Sequence, residues 1–281
     1  MHDTARSVIV RWRVLSGDAR HRCLPDYLII GAQKAGTTSL QKALANHPDI
    51  CASLIKEVHY FDVHYDRGEA WYRAHFARES DAARARLQGR PFATGEATPF
   101  YLAHPQAAQR AARTIPEARL IVLLRDPIER AYSQYAHEVR QGREHASVRD
   151  ALSRELRRGS VGPSAPPVGM SAWDLRYRSY LYRGLYARQL ATWMSWFPPD
   201  QFLILRSESY FAQPLQTLDQ VCTFLGVRKV SALAQPEAFI MHENRGERRD
   251  ALPADLRQQL QSYFAEPNRA LEELLGQEMG W

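Results

Sequence analysis

The stretch Asp26–Leu40, DYLIIGAQKAGTTSL, constrains this chain more than any other, because it joins an apolar run to a helical pattern through a glycine-flanked loop. Tyr27 to Ile30 reads as a short buried strand, and Leu40 with Leu44 gives the i, i+4 spacing of a helix packed on a sheet. Between them, Gly31 and Gly36 let the backbone approach a ligand closely, and the first helical amides, which lack intrahelical partners, face an anion as donors. Lys34 lies inside the loop, with Thr37 and Thr38 at the helix entrance. The unit predicts a phosphate or sulfate site. In the common nucleotide-triphosphate loop, G-x-x-x-x-G-K-[ST], the lysine directly follows the second glycine. Here Lys34 precedes Gly36 by two residues, so it approaches the anion from the loop and not from the helix. The alternative is a glycine-rich turn with a solvated lysine.

A chain of 281 residues is long enough to bury a full α/β core. Its 37 Lys and Arg against 31 Asp and Glu, net +6, favour anionic partners: a phosphorylated cofactor, an acidic glycan, nucleic acid or a lipid surface. Cys23, Cys51 and Cys222 are odd in number and widely spaced, so neither a disulfide framework nor a zinc site follows; we expect reduced thiols, two of them in the core. No run approaches the length of a membrane span, and the N-terminus lacks a signal-peptide apolar core. We therefore expect a soluble, cytoplasmic protein. Residues 1–24 read as a peripheral arm, loose or an edge strand, in which Arg6, Arg11 and Arg13 alternate with Val8, Ile9, Val10 and Trp12 in a pattern suited to a membrane surface.

After the first helix, Pro48 signals a stop, and Ile50 to Ser53 predicts a second short strand. In Lys56–Asp62, KEVHYFD, an extended backbone would put Glu57 and His59 on one side. Glu57 there can act as a base toward an acceptor hydroxyl or amine, with His59 orienting it or sharing the proton; an exposed glutamate beside a satisfied histidine is the alternative. Trp71, Tyr72 and Phe76 have helical spacing, and Gly95–Tyr101, GEATPFY, closes a short strand. Arg119–Arg125, RLIVLLR, is the clearest buried strand and predicts a central parallel one. Asp126-Pro127 with Glu129 then starts a helix, which leaves Arg125 at the carboxyl end of a strand, where open α/β sheets bind ligands.

Farther on, residues 157–172, rich in Pro, Gly and Ser, read as a lid or a linker. Leu185, Tyr186, Leu190, Trp193, Met194 and Phe197 trace a core helix, Phe202–Leu205 a buried strand, and Thr217–Leu225 a helix capped by Gly226. Met241–Arg249 is a polar loop, and the tail from Leu256 to Leu275 predicts two packed helices.

Taken together, G-x-x-K-x-G-T-T after a strand, Asn46–Ile50 and KEVHYFD resemble the heparan sulfate branch of the sulfotransferases that use 3′-phosphoadenosine 5′-phosphosulfate (PAPS). The resemblance covers nearly all of residues 25–281, apart from 65–90 and 155–175. It implies one three-layer α/β domain with a central parallel sheet flanked by helices, P-loop-like and related to the nucleotide kinases. It also implies PAPS as donor and PAP as product, with Glu57 as general base and His59 in support. Gln33, Lys34, Ala35, Gly36, Thr37, Thr38 and Ser39 would hold the 5′-phosphosulfate, Lys34 neutralising charge on the leaving oxygen. Arg125, Ser133 and Tyr186 would hold the 3′-phosphate, and Arg245, Gly246 and Arg248 would close over the nucleotide. No metal is required by that scheme.

Two positions depart from the family pattern. Ala97 stands where heparan sulfate enzymes carry a lysine, which argues against a heparan-type acceptor, and Glu247 stands where a basic residue is common. A saccharide, glycolipid or small-molecule acceptor stays open, and so does the oligomeric state. Two other functions also remain: a kinase with a variant loop, for which Asp126 is the obvious magnesium carboxylate, and a non-catalytic binder of anionic polymers. The scattered basic residues do not form the stripe that nucleic acid requires.

Overall fold

Five short strands, β1 (Tyr27–Gly31), β2 (Ile50–Ala52), β3 (Ala93–Ala97), β4 (Arg119–Leu124) and β5 (Phe202–Arg206), form one sheet in the order β2-β3-β1-β4-β5, every pairing parallel. The computed structural model describes residues 2–158, 169–241 and 252–281. Tyr27 aligns with Gly95 of β3 on one side and Arg119 of β4 on the other, so β1 is the middle strand. Successive residues Tyr27 to Ile30 and Leu120 to Leu124 are all fully buried, as expected of strands covered on both faces. The chain leaves β1 toward β2 and β3, then returns past β1 to β4. That reversal makes the carboxyl ends of β1, β3 and β4 the crevice of the sheet.

The helices cover this sheet. Before β3 come α1 (His2–Leu15), α2 (Thr37–Ala45), α3 (Gly68–Arg73) and α4 (Glu79–Leu87). After it come α5 (Ala107–Thr114), α6 (Pro127–Arg140), α7 (Val148–Arg158), α8 (Ala172–Tyr177) and α9 (Tyr186–Met194). The last are α10 (Ser207–Ala212), α11 (Pro214–Leu225) and α12 (Ala254–Leu275). The expected start of α6 is present: Asp126 Oδ1 accepts from the amides of Ile128 (2.7 Å) and Glu129 (3.2 Å), with Pro127 first in the helix. Glu129 itself accepts from Arg257 Nη2 at 2.7 Å and so ties α6 to α12. Gly226 ends α11 with φ 72°, the left-handed cap the sequence predicts.

Several expectations are corrected. Residues 2–15 are helical, neither loose nor an edge strand: Val10 is buried against Ala19 and Ala74, and Arg13 Nη1 donates to the Ala74 carbonyl at 2.7 Å. Arg22 Nη1 adds a bond to the Phe76 carbonyl at 2.6 Å, which fastens the segment further. The tail is one helix that runs through Pro267, kept helical by the buried stripe Leu256, Leu260, Phe264 and Leu271, which outweighs the lost amide. β5 is only half-buried except at Leu205, because it is the sheet edge and pairs with β4 alone. Phe76 packs just beyond α3. Of the three free cysteines only Cys222 is buried; Cys23 is half-buried and Cys51 exposed.

Candidate active site

Among the described residues, the non-glycine residues with left-handed backbone are Lys34 (φ 71°), Glu57 (φ 60°) and His59 (φ 55°), the same three that the sequence marks as catalytic. Such a conformation is unfavourable for residues with a Cβ and persists only where the surroundings impose it. For Glu57 and His59 the imposing element is the end of β3 and the segment that follows it. Glu57 N–H donates to the Ala97 carbonyl (3.0 Å), Val58 N–H to Glu96 Oε2 (3.2 Å) and His59 N–H to Thr98 Oγ1 (3.4 Å). Tyr60 and Phe61 donate to the Tyr101 hydroxyl at 2.8 and 3.4 Å. The predicted extended backbone is therefore replaced by a kinked one, yet Glu57 and His59 still meet, 3.4 Å apart between Oε2 and Nε2.

Glu96 is the hub of this arrangement and was not recognised from sequence. Its carboxylate is fully buried and accepts from Val58 N–H, Thr98 Oγ1 (2.5 Å), Tyr101 OH (2.8 Å) and Tyr72 OH (3.0 Å). Burial pushes its pKa up, and the donor hydroxyls oppose that shift. The available signal was the motif GEATPFY itself, in which a glutamate inside a strand of small residues has nowhere solvated to go.

His59 Nδ1 bonds Asp62 Oδ2 at 2.6 Å, so the imidazole bridges two carboxylates. Burial disfavours its charge, but Asp62 and then Glu57 outweigh burial and lift its pKa to about 9. Glu57 is likewise opposed by burial, yet His59 and the Lys56 ammonium, 2.5 Å from Oε1, bring it down to about 2. At neutral pH the site holds an ionised Glu57 beside a protonated His59.

The loop between β1 and α2 lies at the same end of the sheet. Gly36 has φ 100° and caps α2 without a side-chain bond, and no acid lies in the first turn, so the helix amides face the crevice without a competing carboxylate. The residues present therefore fit a phosphate or sulfate. The glycines do more than admit a ligand: a Cβ on Gly31 would lie 2.7 Å from Leu102 Cβ, and one on Gly36 3.0 Å from the Phe211 ring. Ala35 and Ser39 are buried, Thr37 nearly so, and Thr38 half-buried. Arg125 Nη1 donates to the Lys34 carbonyl at 3.0 Å, joining the end of β4 to this loop. Tyr186 is buried and donates its hydroxyl to the Arg125 carbonyl at 2.9 Å, so it supports Arg125 from behind. Ser133 is buried in α6. Arg245, Gly246 and Arg248, and residues 159–168 of the expected lid, lie outside the described residues.

A cleft of about 140 Å³ is lined by Gln33 of the loop, by Glu57 and His59, and by His137, Arg176 and Arg183. Sequence reading missed the last three. Arg183 is buried over the Phe100 ring (4.3 Å), donates to the Gln33 side chain and the Arg176 carbonyl, and keeps a buried Nε with no hydrogen-bond partner. Burial, then Lys34 and Arg143, push the His137 pKa to about 4, so this imidazole is neutral. Asp126, the magnesium carboxylate a kinase would need, is engaged as the α6 cap.

Comparison with known proteins identifies the family of the chain. Residues 24–236 match the family model of the sulfotransferase domain. The chain is 31% identical to mouse heparan sulfate glucosamine 3-O-sulfotransferase 6, over 95% of this chain and 76% of that protein. It is 30% identical to mouse bifunctional heparan sulfate N-deacetylase/N-sulfotransferase 3, over 94% of this chain and 32% of that one. The crystal structure of a sulfotransferase from Alicyclobacillus acidocaldarius superposes with a TM-score of 0.65 at 31% identity, covering 92% of this chain and 98% of that chain. The chain belongs to the sulfotransferase domain family and is an enzyme of the PAPS-dependent class. Among the described residues no helix is long and apolar enough to cross a membrane.

Two outcomes follow from the Glu96 hub and the His59 bridge. Glu96→Gln replaces an acceptor with an amide facing donors and is expected to cost roughly 1–3 kcal/mol of stability in denaturant unfolding; an unchanged midpoint would remove Glu96 from that role. The folded pKa of His59 is raised from its ordinary 6.5 to about 9, so its charged contacts stabilise fully below 6.5 and are lost as pH rises through 9. The stability gap between the wild type and His59→Gln should therefore be largest at the lower pH and shrink across that window; a constant gap contradicts the bridge.

Proposed function

We propose that this chain transfers the sulfuryl group of PAPS to a hydroxyl or amine of a saccharide, glycolipid or small-molecule acceptor, with Glu57 as general base. The observation that carries the reading is that Glu57 shares one cleft with Gln33 of the anion loop and with Arg183. Bound PAPS supplies an activated sulfuryl group. Gln33 to Ser39 hold its 5′ end through loop amides and the Lys34 ammonium, while Arg125 and Ser133, backed by Tyr186, hold the 3′-phosphate; Arg245, Gly246 and Arg248, outside the described residues, are assigned to the nucleotide on the family resemblance alone. The planar guanidinium of Arg125 suits a phosphate, and its bond to the Lys34 carbonyl keeps the two anion contacts in register.

Glu57 accepts the acceptor proton. A carboxylate with a pKa near 2 is a weak base, and that is sufficient, because an oxygen bonding to sulfur becomes strongly acidic as the bond forms. His59, fixed by Asp62, keeps Glu57 ionised and aimed at the cleft. Arg183 and Lys34 offset the negative charge gathered between them, a preorganised arrangement that needs no rearrangement during the reaction.

In this reading residues 25–281 form one catalytic domain, and residues 1–24 are peripheral to its sheet and anion loop. A reducing compartment such as the cytoplasm suits three unpaired thiols. Transfer of labelled sulfate from PAPS to an acceptor panel tests the assignment. Glu57→Gln should bind PAP about as tightly as the wild type while turnover falls roughly 10²–10⁴-fold; full turnover in that variant removes Glu57 from the mechanism.

A further inference from the structure

Glu57 lines a second and larger cleft. This one, about 970 Å³, opens between α1 and α3 and is within the range of roughly 300–1,000 Å³ that encloses a drug-sized molecule. Its walls differ in character from those of the cleft beside the anion loop. Val10 and Val14 of α1 face Ile55, Val58 and Trp71, so the interior offers hydrocarbon and an indole ring. The charged groups on the lining are unbalanced among the described residues: Lys56 pairs with Glu57, the one carboxylate there, which leaves Arg6, Arg11 and Arg67 in excess. Arg67 lies 5.1 Å from the Trp71 ring centre and brings one of these charges directly beside the apolar surface.

Glu57 is thus a common wall. One side of it faces Gln33 and Arg183, and the other faces an apolar space with a cationic rim. An acceptor whose reacting hydroxyl reaches Glu57 from the α1 side must leave the rest of its body in that space. A bare sugar would leave the hydrocarbon walls uncovered, and a cationic molecule would meet the guanidiniums of Arg6, Arg11 and Arg67.

We propose that the cleft between α1 and α3 holds the apolar tail of an anionic, hydroxyl-bearing amphiphile that presents its head group to Glu57. The tail lies against Val14, Ile55 and Trp71, and the acidic group of the head sits among Arg11, Lys56 and Arg67. The inference rests on the assignment of Glu57 as base and deepens it by naming the acceptor class. It also gives α1 a task that neither the sheet nor the anion loop requires.

The test is titration calorimetry on PAP-loaded full-length protein with methyl and octyl β-glucuronide, the latter below its micelle concentration, and with octyl β-glucoside as the uncharged match. The octyl glucuronide should bind at least about tenfold tighter than the methyl compound, because burying hydrocarbon supplies the difference, and tighter than the glucoside. Val14→Asp should abolish the dependence on tail length while PAP affinity is unchanged. Equal binding of methyl and octyl glucuronides, or binding of neither, overturns the proposal while leaving the donor assignment intact if PAP still binds. A dimer that Val14→Asp dissociates would give the cleft to a second copy and overturn it too. If PAP itself fails to bind, the donor reading falls and this inference falls with it. The wild-type chain-length comparison decides the matter even if the variant does not fold.

Discussion

Five consecutive backbone amides, from Glu57 to Phe61, are held by one short segment, residues 97–101, together with the buried carboxylate of Glu96. The backbone geometry of Glu57 and His59 depends on this docking. Left-handed conformations at Glu57 and His59 cost of order 1–3 kcal/mol each and would relax without these bonds. Glu96 can hold them because it is itself over-supplied with donors, and its carboxylate would be very costly to bury otherwise. The aromatic packing behind it, with Tyr60 stacked on Tyr72 at 4.3 Å and Phe61 edge-on to Tyr101, keeps water from those bonds. A strand residue that points inward thus fixes two side chains that point outward.

The other half of the site depends on where the sheet reverses. β1, β3 and β4 end at one crevice, and each contributes a different piece: the anion loop, the platform for Glu57, and Arg125. The bond from Arg125 to the Lys34 carbonyl couples two of those pieces directly, and Arg183 is tied to the loop through the Gln33 side chain. Because every piece follows a buried parallel strand, none can shift without disturbing the core. This rigidity suits a reaction in which charge stabilisation and positioning carry most of the barrier reduction.

Much of this was legible in the sequence, and the reasons for the failures are specific. β1 and β4 announce themselves because fully covered strands need unbroken apolar runs, and α6 because Asp126 and Pro127 leave little freedom at a helix start. The Lys56–Asp62 segment carries the right residues but not its backbone: positive φ at Glu57 and His59 is imposed by residues some forty positions away, and no local propensity encodes it. Arg176 and Arg183 were missed because nothing in the sequence between residues 172 and 185 marks an arginine for the site, and only the fold buries Arg183 against Phe100 and Gln33. Pro267 misled in the opposite direction, since a continuous buried stripe overrode a local break.

The central claim is that the amides and ammonium at the start of α2, together with Arg125, grip the two ends of an adenine nucleotide bearing 3′- and 5′-phosphates. A crystal structure with PAP bound tests it most directly. The account predicts the 5′-phosphate within hydrogen-bond distance of the Gly36–Thr38 amides and Lys34, and the 3′-phosphate on Arg125 and Ser133. Nucleotide density elsewhere on the sheet, or phosphates that leave Lys34 and Arg125 untouched, would contradict it.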